Sequence, residues 1–145
     1  MVDLAAESAT AAQWTEQQYR DLISPEAKVR RLVIVAERSP DSGPAPSAKR
    51  LLGFLIARLQ APECELENIV VSRSEQRKGI GRHLLNALKL AASETNCELV
   101  FLEVRESNQA ARAFYERAGF KRDGRRKSYY SNPLEDAILF RVALR

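Results

Sequence analysis

Cys64-Glu65-Leu66-Glu67-Asn68-Ile69-Val70-Val71-Ser72-Arg73-Ser74-Glu75-Gln76-Arg77-Lys78-Gly79-Ile80-Gly81-Arg82 decides how this chain folds. Residues 64–71 read as a strand. From 79 to about 95 the apolar residues Ile80, Leu84, Leu85, Leu88 and Ala92 recur at three- and four-residue steps, the pattern of a helix packed on a sheet. A strand therefore runs through a glycine loop into a helix. Glycines let successive backbone N–H groups face one point, and the helix N-terminus adds partial positive charge. Arg77, Lys78 and Arg82 add full charges, so the loop is built to cradle an anion, and a pyrophosphate suits it. Two familiar phosphate loops fail on spacing. No Gly-Lys-Ser/Thr follows, and there is no G-x-G-x-x-G with an acidic residue about 20 positions on. A plain tight turn is the competing reading of the glycines alone.

Working outward, residues 2–12 are Ala-rich and read as helical, and Thr15-Glu16-Gln17-Gln18 offers a capping box for a helix to about Ile23. Strands are expected over 32–36, 51–57, 99–104, 120–126 and 137–142. The Pro- and Ser-rich stretch 39–49 reads as a loop joining the first two. A second amphipathic helix over 108–118 is stopped by Gly119. The order α-α-β-β-β-α-β-α-β-β predicts a mixed sheet with helices against it, an α/β or α+β sandwich.

With 145 residues, 45% hydrophobic and 29% charged, the chain has the size and usage of one globular domain and excludes disordered and fibrous classes. The net charge of +4 favours anionic partners without choosing among them. No stretch approaches the roughly 18 apolar residues of a membrane span, and no secretion signal opens the chain, so a cytoplasmic protein is expected. Cys64, Cys97 and the lone His83 make no metal cluster. Buried free thiols and a surface or packing histidine are expected, with no metal.

The Gln76–Gly81 pattern Q-x-x-G-x-G, followed by a long helix, a strand and Asn108…Ala111…Tyr115…Gly119-Phe120, resembles the GNAT acetyltransferase superfamily. Within it, Asn68-Ile69-Val70-Val71, Leu102-Glu103-Val104-Arg105-Glu106-Ser107-Asn108, Arg125-Arg126-Lys127-Ser128-Tyr129-Tyr130 and Trp14-Thr15-Glu16 resemble the family of bacterial ribosomal-protein-alanine N-acetyltransferases. The resemblance implies one acetyltransferase domain with a mixed, mostly antiparallel sheet flanked by helices. It also implies acetyl-CoA as cosubstrate, with its pyrophosphate held by Gln76, Arg77, Lys78, Gly79, Ile80, Gly81 and Arg82. Its pantetheine arm would pair with the backbone of Ile69, Val70 and Val71 and bond to Asn108. An acceptor groove would be lined by Trp14, Glu65, Glu67, Tyr129 and Tyr130. The implied partner is a protein N-terminus, that of ribosomal protein S18, with no direct nucleic-acid requirement and a monomer or weak dimer as the working form. Members of the family usually open with an edge strand. Only Met1-Val2-Asp3-Leu4 precedes the first helical stretch here, so that strand is expected to be missing.

Acetyl transfer to an amine needs a base, oxyanion donors and a proton for the leaving thiolate. Glu103 stands inside Leu99-Val100-Phe101-Leu102-Glu103-Val104, where a carboxylate is costly unless partnered or used. It is read either as the base, acting through water, or as the partner of Arg105 or another arginine. Glu65 and Glu67 are alternative bases or amine ligands. Tyr115 is either a core aromatic with a satisfied hydroxyl or the acid that protonates the thiolate, and its place in the family pattern favours the second. A backbone N–H near Val71 is the expected oxyanion donor. The basic run 121–127 reads as a solvated face, an RNA-facing edge or a wall of the acceptor groove. Beside the Nα-acetyltransferase stand two other readings: acetylation of a small amine or lysine side chain, and a non-catalytic CoA- or RNA-binding module.

Overall fold

The protein is described here from a computed structural model covering residues 1–6, 14–22, 24, 26, 29–38 and 49–145. The elements are α1 (Val2–Ala6), α2 (Glu16–Asp21), β1 (Arg31–Arg38), β2 (Arg50–Gln60), β3 (Glu63–Val71), α3 (Ile80–Glu94), β4 (Leu99–Arg105), α4 (Gln109–Arg117), β5 (Lys121–Tyr130) and β6 (Glu135–Ala143). A single 3-10 turn, Arg73–Glu75, links β3 to α3. This is the order read from the sequence. The helical reading of 7–12 and most of the 39–49 loop lie outside the described residues. Among the described residues no strand precedes α1, and β1 forms one edge of the sheet.

The six strands lie in the order β1-β2-β3-β4-β6-β5, antiparallel throughout except for β3 beside β4. Apolar residues cover both faces. Leu84, Leu85, Leu88 and Ala92 of α3 pack with Leu55, Leu66, Val100, Leu102, Ile138 and Phe140 on one face. Ala5 of α1 and Tyr19 of α2 pack with Phe54, Ile56 and Val70 on the other. The Thr15 capping box starts α2 with both reciprocal bonds, Gln18 N–H to Thr15 Oγ1 at 3.2 Å and Thr15 N–H to Gln18 Oε1 at 2.7 Å. Gly119, at φ +91°, ends α4 in the left-handed conformation that its position requires. Cys64 and Cys97 are both buried free thiols, and burial pushes the Cys64 thiol up to about 12.

Two irregularities shape the middle of the sheet. In β3, Leu66 pairs with Ala57 and Asn68 with Ile56, which leaves Glu67 as an extra residue in a bulge. One inserted residue reverses the side-chain alternation. Cys64 and Leu66 join the α3 face, whereas Asn68 and Val70 turn to the α1–α2 side. The second irregularity is a divergence. β3 and β4 pair only at Glu63–Leu99, Cys64–Val100 and Glu65–Phe101, and beyond that they separate.

At Gly53 of β2 the neighbouring backbone leaves no room for a side chain. A Cβ there would lie 2.7 Å from the Val70 carbonyl oxygen and 3.4 Å from Val71 Cα. We expect Gly53→Ala to destabilise the fold by about 1–3 kcal/mol through this overlap with a strand that has no side chain to move aside. Urea unfolding checks it, and an unchanged midpoint would show that β3 yields freely.

Candidate active site

An open groove of about 1630 Å³ occupies the gap left by the divergence of β3 and β4. Ser72 N–H donates to the Leu52 carbonyl at 2.8 Å, which makes that pair hydrogen-bonded in the β2–β3 ladder. Gly53–Val71 and Leu55–Ile69 then fall at the alternate, non-bonded positions. The N–H and C=O groups of Ile69 and Val71 therefore face away from β2, into the groove. Gln76 Nε2 donates to the Val71 carbonyl at 3.2 Å, and the Val71 N–H and both Ile69 groups have no strand partner among the described residues.

At one end of the groove stands the glycine loop. Arg77 (φ +63°) and Gly79 (φ +89°) are both left-handed, which folds the loop into a concave turn, and Gly79 caps the N-terminus of α3. Gly81 sits against α4, where a Cβ would lie 3.0 Å from the Phe114 ring. Gln76, Arg77, Gly79, Gly81 and Arg82 line the groove. Lys78 and Ile80 do not. The Lys78 ammonium lies 3.3 Å from Glu75, a buried carboxylate that also holds Arg38 at 3.0 Å. Glu75 thereby ties the loop to β1. His83 is exposed one turn into α3.

In the middle of the groove, Asn108 caps α4, its Oδ1 accepting from Ala111 N–H at 3.1 Å. Its amide nitrogen makes no bond among the described residues. Tyr115, on the next turns of α4, packs its ring against Phe114 (5.3 Å), Phe120 (5.7 Å) and Phe140 (6.4 Å). Its hydroxyl has no hydrogen-bond partner among the described residues, although the residue lines the groove. A satisfied core hydroxyl is therefore not what the fold builds. Burial, and less so the neighbouring Tyr130, raise its pKa, so the proton stays on through the neutral range.

At the far end, Glu103 enters from β4, opposite Leu139 of β6, with its side chain only 10% exposed. Arg126 Nε of β5 lies 3.0 Å from its Oε1, and its carboxylate raises the pKa of the Tyr129 phenol, chiefly by hydrogen bonding. The carboxylate thus has an arginine partner, but it is Arg126 and not Arg105. Arg105 instead lies 4.3 Å over the Tyr130 ring and donates to the Pro133 carbonyl at 3.2 Å. Tyr129 and Tyr130 meet edge to face at 5.0 Å. Adjacent strand residues can share the groove because β5 carries extra residues between Arg126 and Tyr130, with Ser128 at φ +52°. Burial pushes Tyr130 up to about 12, with the Glu103 charge adding to it.

Trp14, Glu65 and Glu67, expected from the sequence to line an acceptor groove, also line this groove. Trp14 packs on Tyr19 at 5.6 Å and lies under Arg31 at 6.0 Å. Arg31 holds the bulged Glu67 by a two-pronged pair at 2.7 and 3.1 Å, and Arg58 pairs with Glu65. Both glutamates line the groove with their charge already matched. Two of the five basic residues in the run 121–127 are spent on such pairs, Arg126 on Glu103 and Arg125 on Asp136 and Glu106 at 2.6 Å each, while Asp123 of the same run holds Arg141 at 3.2 Å. Sequence reading missed Arg31, Arg126 and Gly53. For Arg126 the only signal was its place in a charged run, since its pairing crosses β6 and depends on register.

A profile of the Acetyltransferase (GNAT) family matches residues 2–120. The chain belongs to the GNAT acetyltransferase family. It is 36% identical over 97 residues to the ribosomal protein bS18-alanine N-acetyltransferase of Escherichia coli K12, a match spanning 66% of each chain, just under two thirds of that relative. The crystal structure of the ribosomal-protein-S18-alanine N-acetyltransferase from Escherichia coli superposes with a TM-score of 0.77 at 28% identity, covering 99% of this chain and 84% of that one. A Bacillus anthracis chain assigned as a streptothricin acetyltransferase, solved with acetyl coenzyme A, gives a TM-score of 0.61 at 29% identity over 65% of this chain and 56% of that one. The mixed, mostly antiparallel sheet flanked by helices is thus the GNAT fold.

Proposed function

We propose that the protein is an acetyl-CoA-dependent Nα-acetyltransferase that acetylates the N-terminal amine of a protein, the N-terminal alanine of ribosomal protein S18, by direct attack in a ternary complex. The observation that carries this reading is the continuous groove between diverging β3 and β4, with a basic cradle at one end, a buried carboxylate at the other and an unbonded phenol between them. The residues fit acetyl-CoA. The left-handed pair Arg77 and Gly79 opens N–H groups toward a diphosphate, and the free N–H and C=O of Ile69 with the free N–H of Val71 can pair with an amide-bearing arm as an added strand would. Asn108's amide nitrogen is the further donor for that arm.

When bound, acetyl-CoA supplies an acetyl group activated as a thioester. Glu103 takes the proton of the acceptor ammonium through water, while Arg126 and Tyr129 hold its carboxylate in one orientation. The Val71 N–H, fixed in the sheet, meets the charge that develops on the carbonyl oxygen. Tyr115 presents its hydroxyl proton to the leaving sulfur. Trp14, Tyr129 and Tyr130 form aromatic walls for an extended peptide, with Glu65 and Glu67 beside them. Because Arg58 and Arg31 already neutralise those two glutamates, the groove favours a peptide over a polyamine, which would need free negative charge.

The test is thiol release from acetyl-CoA with unblocked Ala-starting hexapeptides, their Met-starting, Ser-starting and acetyl-blocked versions, spermidine and free lysine. Turnover confined to unblocked Ala-starting peptides is expected. Turnover of spermidine alone would move the function to small-molecule acetylation, and acetyl-CoA binding without turnover of any acceptor would leave a binding module.

A further inference from the structure

In the β5–β6 hairpin one residue stands opposite three. Arg126 pairs with Ala137 and Tyr130 with Glu135, so Lys127, Ser128 and Tyr129 on β5 face Asp136 alone on β6. The middle residue, Ser128, is left-handed at φ +52°, a conformation that a residue other than glycine keeps only where its surroundings hold it. Asp136 supplies that hold. Its Oδ1 accepts the Ser128 N–H at 2.7 Å, its Oδ2 accepts Arg125 Nε at 2.6 Å, and its backbone carbonyl accepts the Glu106 N–H at 3.0 Å, just beyond β4. Arg125 also donates to Glu106 Oε2 at 2.6 Å, so the bulge is joined to the turn between β4 and α4. Of the two side-chain bonds to Asp136, the one from Ser128 decides more. Arg125 is 47% exposed, where an ion pair is worth little, whereas the Ser128 N–H has no partner in the β5–β6 ladder.

Both groove tyrosines depend on this bulge. In a regular strand neighbouring side chains point to opposite faces, and Tyr129 and Tyr130 could not both line the groove as they do. Resting on the acceptor-groove reading above, we propose that Asp136 is a positioning residue for the acceptor. By capping the β5 bulge it sets Tyr129 and Tyr130 side by side as the wall that an extended peptide lies against. Asp136 itself does not line the groove, and it acts on acceptor affinity only through the two rings.

Steady-state thiol release with an unblocked Ala-starting hexapeptide, beside isothermal titration of acetyl-CoA, tests this on the full chain. Asp136→Ala is expected to raise the peptide KM about tenfold, the scale of one charge-assisted hydrogen bond, with kcat and the acetyl-CoA Kd within about twofold of the original. The unchanged Kd also reports an intact fold. Two further variants separate capping of the bulge from a general structural role. Asp136→Asn keeps an oxygen for the Ser128 N–H and should bring the peptide KM most of the way back. Ser128→Gly, placed in the Asp136→Ala protein, removes the cost of the left-handed conformation and should bring it part of the way. An unchanged peptide KM in Asp136→Ala, a matching loss of acetyl-CoA affinity, or a raised KM that neither further variant lowers overturns the role of Asp136 and leaves the acceptor reading standing. No turnover of the hexapeptide by the unmodified protein overturns both.

Discussion

Tyr115→Phe is expected to lower kcat by about a hundredfold or more, with the KM for both substrates near its original value, the signature of a proton delivered only in the transition state. The substitution is unusually clean in this setting. Phenylalanine keeps the ring that packs against Phe114, Phe120 and Phe140, and the hydroxyl it removes has no partner to orphan among the described residues. Stability should therefore stay within about 0.5 kcal/mol of the original, or rise slightly, since no hydrogen bond is lost. The pH dependence has a definite sign. Burial raises the Tyr115 pKa, so the fold holds the neutral phenol. Its contribution to stability is whole below the unfolded-state pKa near 10 and is lost as pH climbs from there through the higher folded value. Across neutral pH the phenol stays protonated and so keeps the proton that the proposed mechanism offers to the departing sulfur. Steady-state kinetics beside urea unfolding decide the matter: a Tyr115→Phe protein with full kcat removes the hydroxyl from the chemistry.

The second large effect is expected at Glu103. Replacing it with glutamine keeps the shape and an oxygen for Arg126 but removes the charge proposed to accept the ammonium proton, and kcat/KM should fall between about a hundredfold and ten-thousandfold. Stability should change by less than about 1 kcal/mol, because the Arg126 side chain is 54% exposed and water can solvate its freed guanidinium. Arg126→Gln separates the two roles that Glu103 could have. If the carboxylate is the base and Arg126 only orients it, Arg126→Gln costs less than Glu103→Gln, and Arg126→Lys recovers part of the loss. Equal losses from Glu103→Gln and Arg126→Gln, with no rescue by lysine, would mean that the ion pair acts as a structural tie.

Local sequence carried a large part of this protein. The helix stripe through Ile80, Leu84, Leu85, Leu88 and Ala92, the Thr15–Gln18 capping box, the Gly119 stop and the order of the ten elements depend on neighbours a few residues apart, where side-chain type and spacing are direct causes. The cradle is legible for the same reason, since glycine and arginine act through backbone freedom and charge wherever the loop is placed. The lateral placement of strands is a different matter. That β3 and β4 pair over three residues and then part, that the bulge at Glu67 turns Asn68 and Val70 to the second core, and that β6 carries β5 across to set Arg126 against Glu103 follow from register between distant segments. A one-residue slip in any ladder would move a whole strand's side chains to the other face. Composition and spacing thus determined which groups this protein can bring to an acetyl transfer, and only the tertiary structure decided which of them share one groove, because pairing energies accrue between strands far apart in the chain.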